Sequence, residues 1–221
     1  MMEGVDDMKS NTDEEESEDK TDCEGDVQGR GEDMENDGGN KRMVEKLFSN
    51  NIIKSQEVLS VMKQVDRGNY VRHNPYMDSR QYIGYINIAA PHMNAHALEL
   101  LRDHRKPGMQ GLDVGSRTGY LTASMDLMVG DQGKAVGIDH IPELVDVSRS
   151  NPSKDGKDGL LGSGQIELVE GDGCKGWSQS GPYTAIHVGV AAPMPQDLVV
   201  QLARTVMEKI FPYLKGGRGR K

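Results

Sequence analysis

Cysteine is scarce in this chain of 221 residues, which has only Cys23 and Cys174, far apart in sequence. Two thiols make no disulfide framework and cannot supply a structural zinc site, so a reduced compartment is expected. The chain also lacks any run of about eighteen apolar residues, so no membrane span is expected. The first forty residues have no apolar core flanked by basic ones and are not expected to act as a secretory signal. Tryptophan occurs once, at Trp177, where surface packing is a plainer expectation than stacking on a ligand. His92 and His96 stand four apart, at zinc-binding spacing, but have no third ligand in register. Capping or packing is expected of them, and no metal site. These gaps point to a cytoplasmic, single-domain protein.

What the chain has in excess is acid, and it is unevenly placed. Residues 1–40 hold sixteen Asp or Glu against Lys9, Lys20 and Arg30, a charge of −13. With −9 for the whole chain, the remainder carries +4. The segment 1–40, with Asp13-Glu14-Glu15-Glu16 inside it, has almost nothing to bury and is predicted to be a disordered acidic tail. Residues 41–221 are predicted to form one domain with one core. The basic end, Gly216 to Lys221, has no aromatic neighbours and reads as a solvated terminus, so no nucleic-acid partner is expected.

The densest signal is Gln110-Gly111-Leu112-Asp113-Val114-Gly115-Ser116-Arg117-Thr118-Gly119. Leu112 to Val114 read as a short buried strand, and Gly115 to Gly119 as a glycine-bounded turn. Tyr120 to Met128 then read as a helix that stops at Gly130. Strand, tight turn and helix make the first unit of a nucleotide-binding α/β sheet. Further on, Lys134 to Asp139 read as a second apolar strand ending in a carboxylate, placed to accept hydrogen bonds from both ribose hydroxyls. The turn lacks the G-x-G-x-x-G pattern of dinucleotide enzymes. Asp113 would repel a pyrophosphate but suits a cation, which favours S-adenosylmethionine, a sulfonium without phosphate. A β-turn-α unit with no ligand is the alternative these residues alone leave open.

Elsewhere the pattern alternates. Val44, Leu47 and Phe48 share helical spacing; Ser55 reads as the N-cap of a helix carrying Val58, Leu59, Met62 and Val65. His73 to Ala90 read as an irregular, aromatic- and Met-containing loop of the kind that packs over or binds something. Pro91 opens a helix whose buried face is predicted to be Met93, Ala97, Leu100 and Leu101, and Met62, Met93, Met125 and Met128 read as core. Pro142 opens a short helix that Pro152 ends, and residues 153–164 read as a surface loop. Gln165 to Glu170 and Tyr183 to Gly189 are third and fourth strands. Leu198, Leu202, Val206 and Ile210 line a last helix. The fold class is α/β, a doubly wound, mainly parallel, Rossmann-like sheet.

With these pieces placed, residues 43 to 201 resemble the protein-L-isoaspartate (D-aspartate) O-methyltransferases. The resemblance is carried by Asn74-Pro75-Tyr76-Met77-Asp78-Ser79, Ala90-Pro91-His92-Met93, Leu112 to Ser116, Gly137 to Val145, Val169 to Gly173 and Pro182 to Gly189. It implies methylation of the free α-carboxylate of L-isoaspartyl and D-aspartyl residues in aged proteins and peptides, with S-adenosylmethionine as donor. The ester then collapses to a succinimide, which reopens a route to normal aspartate. By resemblance Asp113, Val114 and Gly115 line the cofactor cleft and Asp139 holds the ribose. Asp172 and Gly173 sit at the adenine end, with Asp146 a further candidate. Ala90, Pro91, His92 and Met93 form the lip between cofactor and substrate, and Tyr76 to Ser79 shape the peptide groove. A monomer is expected.

Departures from the family pattern are part of the reading. Ala89 stands at the catalytic position where the family usually has Ser. Arg117 replaces a turn glycine, Thr184 a strand Asp, and Cys174 a basic residue. The family's last strands are expected to be missing after Lys215. Ala89, Arg117 and the missing strands motivate an alternative, a truncated or degenerate homologue that binds cofactor or protein without turnover.

Overall fold

The computed structural model describes residues 36–83, 86–104, 108–189 and 196–202. Helix α1 spans Asn36–Ser49 and α2 spans Gln56–Gln64. Ser55 caps α2 as its side-chain chemistry predicts, its hydroxyl accepting from the Val58 N–H at 3.2 Å. Met43, Val44 and Leu47 of α1 are buried with Ile53, Val58, Val61 and Met62 in one apolar cluster. The folded part starts earlier than the predicted boundary at 41, because α1 takes in Asn36 to Asn40. Asn40 is 3% exposed and its amide donates to the Met62 carbonyl at 2.9 Å. Gly39, part of what reads as a flexible run, is needed for closeness: a Cβ there would stand 2.3 Å from the Tyr76 ring.

After a 3-10 turn over Arg67–Asn69, the segment read as a loop contains β1, Gln81–Ile83, paired antiparallel with β2, Ile86–Ile88. Three-residue strands give too little alternation to see in sequence. Helix α3 spans Pro91–Leu101. Its buried residues are Pro91, Asn94, Ala95 and Leu98. Of the predicted stripe, Ala97 and Leu101 pack half-buried against the cluster shared with α1, α2 and the next helix. Met93, 39% exposed, and Leu100, 79% exposed, face away, because apolar residues surround this helix and its neighbours press on one side only. The other three methionines, Met62, Met125 and Met128, are core as predicted.

The main sheet consists of β3, Gln110–Val114; β4, Lys134–Asp139; β5, Ile166–Glu170; and β6, Ala185–Val188. All pairings are parallel, in the order β5-β4-β3-β6. Helix α4, Tyr120–Val129, joins β3 to β4 and stops at Gly130, φ +68°. Leu112, Val114, Val136 and Ile138 pack with Tyr183 and Leu198 in a second cluster. Asp113, between two of these in sequence, points to the opposite face, where α4 lies.

Helix α5 spans Pro142–Lys154, so Pro152 lies inside it and does not end it. Pro152 falls in the last turn, where one lost N–H is a small defect, and Asp155 N–H still reaches the Asn151 carbonyl at 3.2 Å. A short helix α6, Asp158–Gly162, occupies part of the predicted loop. Helix α7 covers only Gln196–Val199, and Leu202 leaves it to bridge Tyr183. Val206, Ile210 and the chain after Lys215 lie outside the described residues, as does most of the acidic segment. Among the described residues no helix is long and apolar enough to cross a membrane.

Candidate cofactor and acceptor site

The strand order places the site. From β3 the chain steps to β4 and β5 on one side, and β6 then pairs with β3 on the other. The carboxyl end of β3 is therefore the switch point at which open α/β sheets bind ligands. There the chain turns through Gly115, φ +81°, and Gly119, φ +79°, left-handed values that glycine takes without strain. The N–H groups of Gly115 and Ser116 both donate to the Ile138 carbonyl, at 2.8 and 3.1 Å, tying the turn to β4.

A cavity of about 40 Å³ opens at this point. That is room for a few waters or one small functional group, not for a nucleoside. Ala89, Asn94, Asp113, Arg117 and His187 are among its lining residues. Asp113 is 1% exposed. One of its oxygens accepts from the Thr122 hydroxyl at 2.8 Å, and the other lies 2.9 Å from His187 Nδ1. His187 is the register partner of Asp113 on the neighbouring strand.

Asp139, 5% exposed, accepts from the Arg117 N–H at 3.0 Å and the Ile141 N–H at 3.2 Å. It is not among the residues that line the cavity; it meets that hollow only through the Arg117 N–H it holds. His140 is an exposed neighbour 3.6 Å from Asp139. Asp172 turns its carboxylate onto the Cys174 N–H at 3.0 Å. Gly173 packs on β3, where a Cβ would meet Val114 Cγ1 at 2.6 Å. Asp146 is not brought in: on α5 it faces solvent beside Arg149 at 3.6 Å.

Ala89 is one of the lining residues, and its carbonyl accepts from Arg67 Nη2 at 2.7 Å. Arg67 is wholly buried; its Nε donates to the Pro75 carbonyl at 2.9 Å, and its guanidinium lies 5.2 Å from the Tyr120 ring centroid. Burial lowers its pKa, against the opposing pull of Tyr120 and Asp78, yet a guanidinium remains charged. Ala90 is the N-cap of α3 and Pro91 its first residue. Alanine has no capping oxygen, and Asp78 supplies one from outside. Its Oδ1 accepts from the His92 N–H at 3.0 Å and lies 2.8 Å from His92 Nδ1, so Asp78 is the capping group and His92 the residue that is capped, not the cap itself. Tyr76 is held by its hydroxyl, which donates to Asp66 at 2.9 Å.

Arg67, Asn94, Thr122 and the pairing of His187 with Asp113 were not readable as site features. Thr122 had a signal, a hydroxyl in the first turn of a helix that folds back on its own strand. Arg67 had none.

A profile of the family "Protein-L-isoaspartate(D-aspartate) O-methyltransferase (PCMT)" matches residues 38–206. The chain belongs to this family. Protein-L-isoaspartate O-methyltransferase 1 of Arabidopsis thaliana is 50% identical over 167 residues, 74% of this chain and 73% of that one. The Caenorhabditis elegans protein-L-isoaspartate O-methyltransferase is 43% identical over 166 residues, again 74% and 73% of the two chains. Among solved structures, a putative protein-L-isoaspartate O-methyltransferase from Plasmodium falciparum, crystallised with S-adenosyl-L-homocysteine, superposes with a TM-score of 0.70 at 34% identity. The match covers 74% of this chain and 79% of that chain. As a family member the chain has the α/β fold of S-adenosylmethionine-dependent methyltransferases, with its parallel strands in the order given above.

Proposed function

We propose that this chain is a protein-L-isoaspartate O-methyltransferase that uses S-adenosylmethionine to esterify the α-carboxylate of L-isoaspartyl and D-aspartyl residues in damaged proteins. The observation that carries this is a buried carboxylate, Asp113, fixed by Thr122 and His187 at the switch point of a sheet whose family is that of these enzymes. The residues fit the donor chemically. The strand ends beside the turn offer the carboxylates of Asp113 and Asp139, which suit a sulfonium and a ribose diol.

Asp113, Val114, Gly115 and Asp139 hold the donor in this reading, with Asp172 and Gly173 toward the adenine. Ala89 stands at the reacting end and Ala90, Pro91, His92 and Met93 form the lip. When bound, the donor supplies a sulfonium methyl group, taken by an acceptor oxygen that is already ionised at neutral pH, so no base is required. The chain's own contribution is to position and to exclude water, the kind of catalysis that depends on alignment. Asp78 and Arg67 serve it by fixing the two ends of the Ala89–His92 lip. The same reading makes the chain a monomer of the cytoplasm whose partners are isoaspartyl-containing proteins and peptides.

The test is base-labile methyl ester formation on an isoaspartyl peptide compared with its aspartyl isomer. Transfer to the first alone is expected. Tight binding of S-adenosylhomocysteine without transfer to either would overturn the enzymatic reading in favour of a binding protein.

A further inference from the structure

We propose that the Arg117 guanidinium binds the acceptor's α-carboxylate, an inference that rests on the methyl-transfer reading above. Arg117 sits on the cavity wall together with Ala89, Asp113 and His187. Its backbone is held in the left-handed region, φ +52°, with its N–H on Asp139. From there the side chain donates to the Asn87 carbonyl and, at 3.4 Å, to the Gly189 carbonyl. Both acceptors are neutral. Among the described residues the guanidinium has no carboxylate within ion-pair distance, and N–H donors beyond these two contacts remain.

The charges around the cavity are laid out in order. Asp113 gives the cavity lining a negative charge and Arg117 a positive one. A second guanidinium, Arg67, backs the same segment through the Ala89 carbonyl. Methyl transfer brings together a cationic donor and an anionic acceptor. The sulfonium is complementary to the Asp113 side and the carboxylate to the Arg117 side, which sets the direction of approach. Ala89 offers no hydroxyl to the acceptor, and Arg117 is the guanidinium among the residues that line the cavity. A cavity of about 40 Å³ admits one carboxylate-sized group beside it. A planar fork of donors matches a carboxylate in a way an ammonium does not.

The donor molecule carries a carboxylate of its own, and the experiment separates the two sources. Full-length protein, wild type, Arg117→Gln and Arg117→Lys, is compared for binding of an isoaspartyl peptide and its α-carboxamide, and for binding of S-adenosylhomocysteine and 5′-methylthioadenosine. Glutamine keeps length and a hydrogen bond, and melting curves verify that each variant is folded. The wild type is expected to prefer the carboxylate peptide at least tenfold over the carboxamide. Arg117→Gln should lose that preference, with Arg117→Lys intermediate and S-adenosylhomocysteine affinity within about twofold throughout. The peptide KM should rise at least tenfold in Arg117→Gln, with kcat changed less. Unchanged discrimination would overturn the proposal. So would weaker S-adenosylhomocysteine with 5′-methylthioadenosine unaffected, which would assign Arg117 to the donor's carboxylate. Faster turnover in Arg117→Gln would also overturn it, by making the side chain an obstruction. Because the peptide comparison reads binding, it decides this point even if the wild type transfers no methyl group, the result that would sink the parent reading instead.

Discussion

At the scale of single residues, two buried acids behave oppositely. Asp113 has a donor for each oxygen, so its charge is matched. Removing one donor with the near-isosteric Thr122→Val leaves an ionised group short of a bond, and is expected to cost about 1.5–3 kcal/mol in urea unfolding and to weaken S-adenosylhomocysteine binding. Unchanged stability would mean that Asp113 is protonated or solvated. Asp126, 1% exposed on α4, has an oxygen with no partner among the described residues. Burial first, and then the Asp131 carboxylate, push it up to about 7 from 3.8. Since the folded state holds the proton more tightly, this group's contribution is full below about 4 and is lost as pH rises through about 7. Asp126→Asn should therefore gain on the wild type by about 2–3 kcal/mol between pH 5 and pH 8; a pH-independent difference would refute it. The sequence made Asp113 and Asp139 visible because strand tips and glycine turns leave a local signature. Nothing local marks Arg67, whose role depends on carbonyls at positions 75 and 89.

At the scale of elements, the site and the sheet share atoms. A Cβ on Gly137 of β4 would meet Thr122 Oγ1 at 2.7 Å, Leu168 Cδ2 at 2.7 Å and Ser116 Cβ at 2.8 Å. Gly137→Ala thus presses on the hydroxyl that holds Asp113 and on the turn itself. It is expected to cost about 1–3 kcal/mol and to weaken S-adenosylhomocysteine binding in parallel. Loss of stability with full binding would show that the two are separable. The strands β3, β4 and β5 were legible because buried parallel strands are short apolar runs between turn residues. Pro152, the run 153–164 and the α3 face were misread for one reason. Each depends on where neighbouring elements press, and period or propensity alone carries no record of that.

At the scale of the molecule, the acidic residues of the first forty positions oppose a mildly basic remainder. An isoaspartyl acceptor is an anion, and a diffusing anion is repelled by like charge within about a Debye length. Deleting residues 1–35 is expected to lower KM for an acidic isoaspartyl peptide several-fold at low ionic strength, with the gain gone at 0.5 M salt. A salt-independent change would point to contact and not to field. The order of the sheet has a temporal consequence. Asp113 meets its imidazole partner only across 74 residues of chain. At about 5–20 residues per second, a ribosome needs roughly 4–15 s to deliver it. Until then Asp113 has only its Thr122 donor and β3 has a neighbour on one edge alone, the kind of open strand edge that chaperones hold.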